Sequence, residues 1–161
     1  MIYVGFSTTN FIVSRIIRRL TKSEVSHTFF AYLAFGRLWV LEAGFLGICI
    51  VPLDKFAKKN QIILLVPVKE LNTEDLSSAM DRLGDAYDFG GLFGGIFPII
   101  GHWLKRKWKN PWDNTKAMFC SELIVTTLQD AKFKGMEEFV AADTTPQELK
   151  DYFTAHYLTR S

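Results

Sequence analysis

Two strand-length runs set back to back on a two-residue turn constrain this chain more than any other feature. Ser26 to Ala34 and Arg37 to Ala43 are rich in aromatic and aliphatic residues, and Phe35-Gly36 between them suits a tight turn. A third run, Gly47 to Pro52, follows closely. Gln61 to Lys69 is continuous and apolar, which places it in the middle of a sheet. Ile2 to Phe6 reads as a short strand. Helical signals surround these runs. Ser7 to Asn10 is rich in N-cap types, and an amphipathic helix is expected from Phe11 to about Leu20. Its apolar positions share one face, and Arg15, Arg18, Arg19 and Lys22 form a solvated one. Leu53 to Lys59 reads as a loop or one helical turn, and Thr73 to Leu83 as a helix capped by Thr73. Phe119 to Ala131 is a strong helical pattern, and Thr145-Pro146 opens another, with Thr145 as cap and Pro146 at the first helical position. No repeat or low-complexity linker divides the chain, so residues 1–161 are expected to form a single α+β domain.

Composition bounds what such a domain does. At 161 residues and 48% hydrophobic the chain has enough material for one core. Its 14 Phe fit a dense core with a few exposed rings better than a dedicated lipid pocket. A net charge of +2 argues neither for nor against nucleic acid, which is not the expected partner. Two cysteines without a CxxC spacing make neither a disulfide framework nor a zinc site. Gly90-Gly91 and Gly94-Gly95 lack the Lys-Ser/Thr ending of a phosphate loop, so no metal or cofactor is expected. The N-terminus lacks a secretory pattern, and no run reaches the roughly 18 apolar residues of a spanning helix. A cytoplasmic, reducing location is the expectation, with export by another route left open.

The chemistry concentrates on Cys120. A polar loop leads into it and a helical pattern leads out, which puts the thiol at a helix N-terminus. Free N–H groups and the positive end of the helix dipole there favour thiolate, and the same N–H groups suit an oxyanion. Position alone fits a buried structural cysteine equally well. A thiolate catalyst needs a base, and His27 opens a strand. If Phe35-Gly36 is a two-residue turn, Phe29 faces Glu42. His27 then shares the face of Phe29, with Glu42 diagonally across at about 7–8 Å between backbones. The carboxylate would hold the imidazole in one tautomer; the competing reading leaves Glu42 on an exposed strand position. Cys49, between Ile48 and Ile50, reads as core, and His102 and His156 as structural or exposed.

These residues resemble the circularly permuted branch of the NlpC-type papain-like superfamily, the YiiX-like group. Ser26-His27 at a strand start is similar to its base motif, and Val40 to Ala43 followed by Gly47 to Pro52 to its third catalytic position. Phe119-Cys120-Ser121-Glu122-Leu123 is similar to its nucleophile motif, in the permuted order His, acid, Cys. Tyr87-Asp88 resembles a Tyr motif upstream of the cysteine, and Thr145 to Leu149 a terminal motif. The resemblance spans about residues 1 to 153. It implies an antiparallel sheet or small barrel packed against helices, with the nucleophile at a helix N-terminus. It also implies catalytic Cys120, His27 and Glu42, with Tyr87 and Ser121 contributing to oxyanion or substrate binding. The chain departs from the family at Tyr3-Val4-Gly5-Phe6-Ser7, where relatives carry a Gly-Asp-Ile type strand, and residues 90–112 read as an insertion.

The expected activity is thiol-dependent hydrolysis of an amide, ester or thioester, in a cell-wall peptide or a lipid acyl group, through a cysteine acyl-enzyme. A lipid acyltransferase of related chemistry, like the lecithin retinol acyltransferase relatives, is the first alternative. The second is a non-catalytic module binding a membrane surface or anionic partner. It rests on Gly90 to Leu104 followed by Lys105, Arg106, Lys107 and Lys109 among Trp103, Trp108 and Trp112.

Overall fold

A computed structural model describes residues 1–9, 14–15, 18–19, 23–44, 47–85 and 120–158. Among the described residues five strands form one antiparallel sheet: β1 (Ile2–Thr8), β2 (His27–Ala34), β3 (Arg37–Gly44), β4 (Gly47–Pro52) and β5 (Gln61–Val68), in the order β4-β3-β2-β1-β5. Among the helices of the described residues are α1 (Leu53–Phe56), α2 (Ser77–Met80), α3 (Cys120–Asp130) and α4 (Pro146–Phe153). The class is α+β, and of the two forms expected the described strands make a sheet rather than a closed barrel.

Strand alternation sorts side chains to two faces. On one, Val4, Phe6, Phe30, Leu41, Val66 and their neighbours pack against Leu123, Ile124 and Leu128 of α3 and Leu149 and Phe153 of α4. This is the main core. On the other, Phe29, Ala31 and Val40 form a smaller cluster with Phe56 of α1. Gly5 sits beneath the Phe29 ring, where a Cβ would lie 2.3 Å from ring carbons.

Helix ends follow local chemistry. Thr145 caps α4, accepting from the Glu148 N–H while the Glu148 carboxylate accepts from the Thr145 N–H, with Pro146 in the first turn. Gln147, on α4, accepts hydrogen bonds from Ser23 and from the Glu24 N–H, which ties the helix to the segment entering β2. α3 ends with Lys132 at φ 54; the Phe133 N–H returns to the Leu128 carbonyl and the Lys132 N–H to Gln129. That pattern closes the last carbonyls and drops Phe133 into the core.

Four expectations change. β5 is an edge strand among the described residues, not a central one. Pro67 carries no N–H to donate to a neighbour, so the strand is suited to an edge despite its apolar run. Thr73 is not the cap. Asn72 is, accepting from the Glu74 N–H while Asp75 accepts from the Asn72 N–H, and a 3-10 turn over Thr73–Leu76 precedes α2. The helix expected over Thr73 to Leu83 is thereby shortened to that turn plus α2. Cys49 is only half-buried, because it lies opposite Glu42 on the face away from the main core. Of the helix expected over Phe11 to Leu20, Ser14, Arg15, Arg18 and Arg19 are described, and all four are helical.

Candidate active site

The hairpin register places the base and its partner. Ala34 pairs with Arg37 and Phe30 with Leu41 across the Phe35-Gly36 turn, which sets Glu42 diagonally across from His27. Their side chains meet: His27 Nε2 lies 2.6 Å from Glu42 Oε2, each side chain 14% exposed. Aromatic packing holds the imidazole in place, with the Phe29 ring centroid at 6.2 Å and that of Phe56 at 6.0 Å. Nε2 is thus committed to the carboxylate, and Nδ1 is the nitrogen left for a second partner.

That partner is Cys120. It is the first residue of α3, buried, and it interacts directly with His27. The β2–β3 pairing stops at Phe30–Leu41, short of His27 and Gly44. On this side, which β3 leaves unpaired, the Thr28 N–H is turned to the sulfur, as is the N–H of Ser121 from the first turn of α3. Two donors from different elements therefore converge on one thiol.

The electrostatics favour an ion pair. Burial of the His27 ring opposes its charge more strongly than any single partner promotes it. The negative sulfur of Cys120 and its hydrogen bond, with the Glu42 carboxylate, together outweigh that penalty and push His27 up to about 10. Burial likewise works against the Cys120 thiolate, but the imidazolium and the backbone donors hold its pKa below the ordinary thiol range. Cys49 goes the other way. Burial, then the neighbouring Glu42 carboxylate, push its thiol up, so environment moves the two thiols in opposite directions.

The structure brings together Cys120, His27, Glu42 and Ser121. Tyr87, His102 and the apolar and Trp/Lys-rich segment 90–112 lie outside the described residues, and the membrane-surface alternative rests on that segment. His156 is exposed, with Nδ1 2.8 Å from the Tyr152 carbonyl oxygen. Among the described residues no group of three or more His, Cys, Asp or Glu could hold a metal ion. No described helix is long and apolar enough to cross a membrane. Sequence reasoning missed the Thr28 N–H and Phe56. The first had no signal apart from its place beside His27, and the second reaches the imidazole only through tertiary packing.

Fold and site together define an α+β protein in which a buried thiol at a helix start, an imidazole and a carboxylate form one hydrogen-bonded relay. Neither a protein-family model nor a curated protein matches the chain.

Proposed function

We propose that this chain is a cysteine hydrolase or acyl-transfer enzyme of the permuted papain-like type. The observation that supports it most is the relay itself: Glu42 on one nitrogen of His27 at 2.6 Å, and the Cys120 thiol as the ring's other partner. A structural cysteine has no need of an imidazole held in one orientation by a mostly buried carboxylate, an arrangement costly to build into a fold.

In this mechanism His27 Nδ1 takes the proton of the Cys120 thiol, and Glu42 stabilises the imidazolium. The thiolate forms a bond to the carbonyl carbon of an amide, ester or thioester. The Ser121 N–H at the start of α3 stabilises the oxyanion, a role that Tyr87 shares on the family resemblance. Collapse breaks the bond to the leaving group, which takes the proton from His27, and leaves a thioester on Cys120. Water, or an acceptor alcohol or amine, then gives its proton to His27 and attacks the thioester, releasing the acyl group and restoring the thiol. Cell-wall peptides and lipid acyl groups are the substrate classes the resemblance brings.

The test is the pH dependence of Cys120 alkylation by iodoacetamide in wild type and His27→Ala. Fast labelling well below pH 8.5, lost in His27→Ala, is the expected result. Slow labelling that ignores His27 refutes the proposal. Cys120→Ala should abolish acylation by activated esters while the far-UV spectrum and melting transition persist.

A further inference from the structure

Beside His27 the sheet end opens into a groove of about 560 Å³, lined by Thr8, Thr9, Lys58, Lys59 and Asn60 among others. The groove's lining adjoins the surroundings of His27 through chain neighbours on two sides. On one side, Thr8 follows Ser7, which pairs directly with His27 across β1 and β2. Thr8 Oγ1 is also 3.3 Å from the hydroxyl of Ser26, the residue that precedes His27. On the other side, Ala57 lines the groove and follows Phe56, whose ring packs against the imidazole. Thr8 therefore sits within about 7 Å of His27 between backbones.

The groove mixes polar and apolar lining, and its charge is positive. Lys58 and Lys59 are exposed, and neither has a carboxylate partner among the described residues. The acid nearest in sequence, Asp54, is taken by Arg37 at 2.5 Å. Hydroxyls of Thr8 and Thr9 and the Asn60 amide supply neutral hydrogen-bonding groups beside the two ammoniums. At the junction with the site lies Ser7, fully buried, whose Oγ has no hydrogen-bond partner among the described residues. A buried hydroxyl left unpaired lowers stability.

We propose that this groove binds an anionic group, carboxylate or phosphate, carried by the substrate a short chain away from the scissile carbonyl. The inference rests on the thiol-acylation reading above and names the substrate class that reading leaves open: acyl donors or acceptors bearing a negative charge. Lys58 and Lys59 hold the charge, Thr8 and Asn60 offer it hydrogen bonds, and the carbonyl is left over Cys120.

The experiment pairs two measurements on the full chain. The first compares kcat/KM for p-nitrophenyl esters with an ω-carboxylate or ω-phosphate against the neutral ester of equal length, in wild type and in Lys58→Gln/Lys59→Gln. The second follows binding of free adipate and of inorganic phosphate by amide shift changes at Thr8, Lys59 and Asn60. The expected wild-type preference for an anionic ester is about tenfold at low salt, the sum of two modest surface attractions. It should shrink with added salt and fall towards unity in the double variant. Preference for the carboxylate or for the phosphate identifies which anion the groove takes, and either supports the proposal. A wild-type ratio near one, or a preference that survives the double substitution, overturns it. Should neither ester acylate Cys120, the catalytic reading fails. The groove is then judged by binding alone: adipate or phosphate shifts lost in the double variant uphold it, and their absence in wild type overturns it.

Discussion

The imidazolium of His27 is the quantity on which the site stands or falls, and Glu42→Gln perturbs it with little change of shape. The carboxylate lies 2.6 Å from Nε2, and both side chains are mostly shielded from water. A hydrogen bond to a charged partner contributes about 1.5–3 kcal/mol. Glutamine keeps an acceptor oxygen and removes only the charge, so at 1.36 kcal/mol per unit the His27 pKa falls by at most about 1–2 units. His27 should therefore titrate up to about 1–2 units below its wild-type value near 10. Cys120→Ala should lower it further, because the sulfur raises the imidazole pKa more than Glu42 does, by charge and then by hydrogen bond. With the thiolate gone, burial is opposed only by Glu42. The assay is an NMR titration of His27 in protein labelled at the histidine rings, with the variant His27→Ala supplying the assignment. The expected order is wild type, then Glu42→Gln, then Cys120→Ala. A His27 titration that ignores Glu42→Gln, or that moves more with it than with Cys120→Ala, would refute the electrostatic account of the relay.

Stability should carry the same signature. His27, raised from 6.5 to about 10, adds stability that is complete below pH 6.5 and lost as pH rises towards 10. Cys120, lowered from the ordinary thiol value of 9.0, adds stability that is complete above pH 9 and lost as pH falls through its folded value. Below pH 9, wherever the two windows overlap, the slopes oppose and cancel, so the pair's contribution flattens into a plateau there, and above pH 9 the His27 loss is unopposed. Melting temperature against pH, wild type minus Cys120→Ala, should show that plateau ending in a fall above pH 9; a difference without that break would contradict it. Gly5→Ala drives a Cβ to 2.3 Å from the Phe29 ring. Since Phe29 packs against His27, we expect a loss of about 1–3 kcal/mol in urea unfolding together with slower Cys120 alkylation, and unaltered alkylation would separate Phe29 from the site. Thr145→Ala removes the cap of α4, the helix that holds Ser23 and Glu24 ahead of β2. About 1 kcal/mol should be lost in the same unfolding measurement, and no loss would mean the cap is dispensable.

Where information was local, the sequence sufficed. The two-residue turn at Phe35-Gly36 fixes the β2–β3 register, because side chains alternate with a period of two and a single slip would invert both faces. From that register alone Glu42 could be set across from His27, and the 2.6 Å contact follows. The start of α3 at Cys120 and the Thr145 cap of α4 were legible for the same reason, since helix ends are written in a few consecutive residues. The choice between Asn72 and Thr73 was not, as both are capping types side by side and only the chain's path selects one. Strand order was invisible in the apolar run of β5, although Pro67 was a signal for an edge.

Only the tertiary structure decided that α3 brings its first residue to the end of β2. No periodicity connects Cys120 to His27, because the contact joins elements far apart in the chain and depends on how α3 seats against the sheet through Leu123, Ile124 and Leu128. The same seating turns the Thr28 N–H to the sulfur, where the β2–β3 pairing ends, and depresses the thiol. Composition and pattern determined which residues are competent for this chemistry and which strand and helix each begins. Packing determined that they meet, since a pKa is set by the charges and dipoles within a few ångströms, and the folded chain alone puts them there.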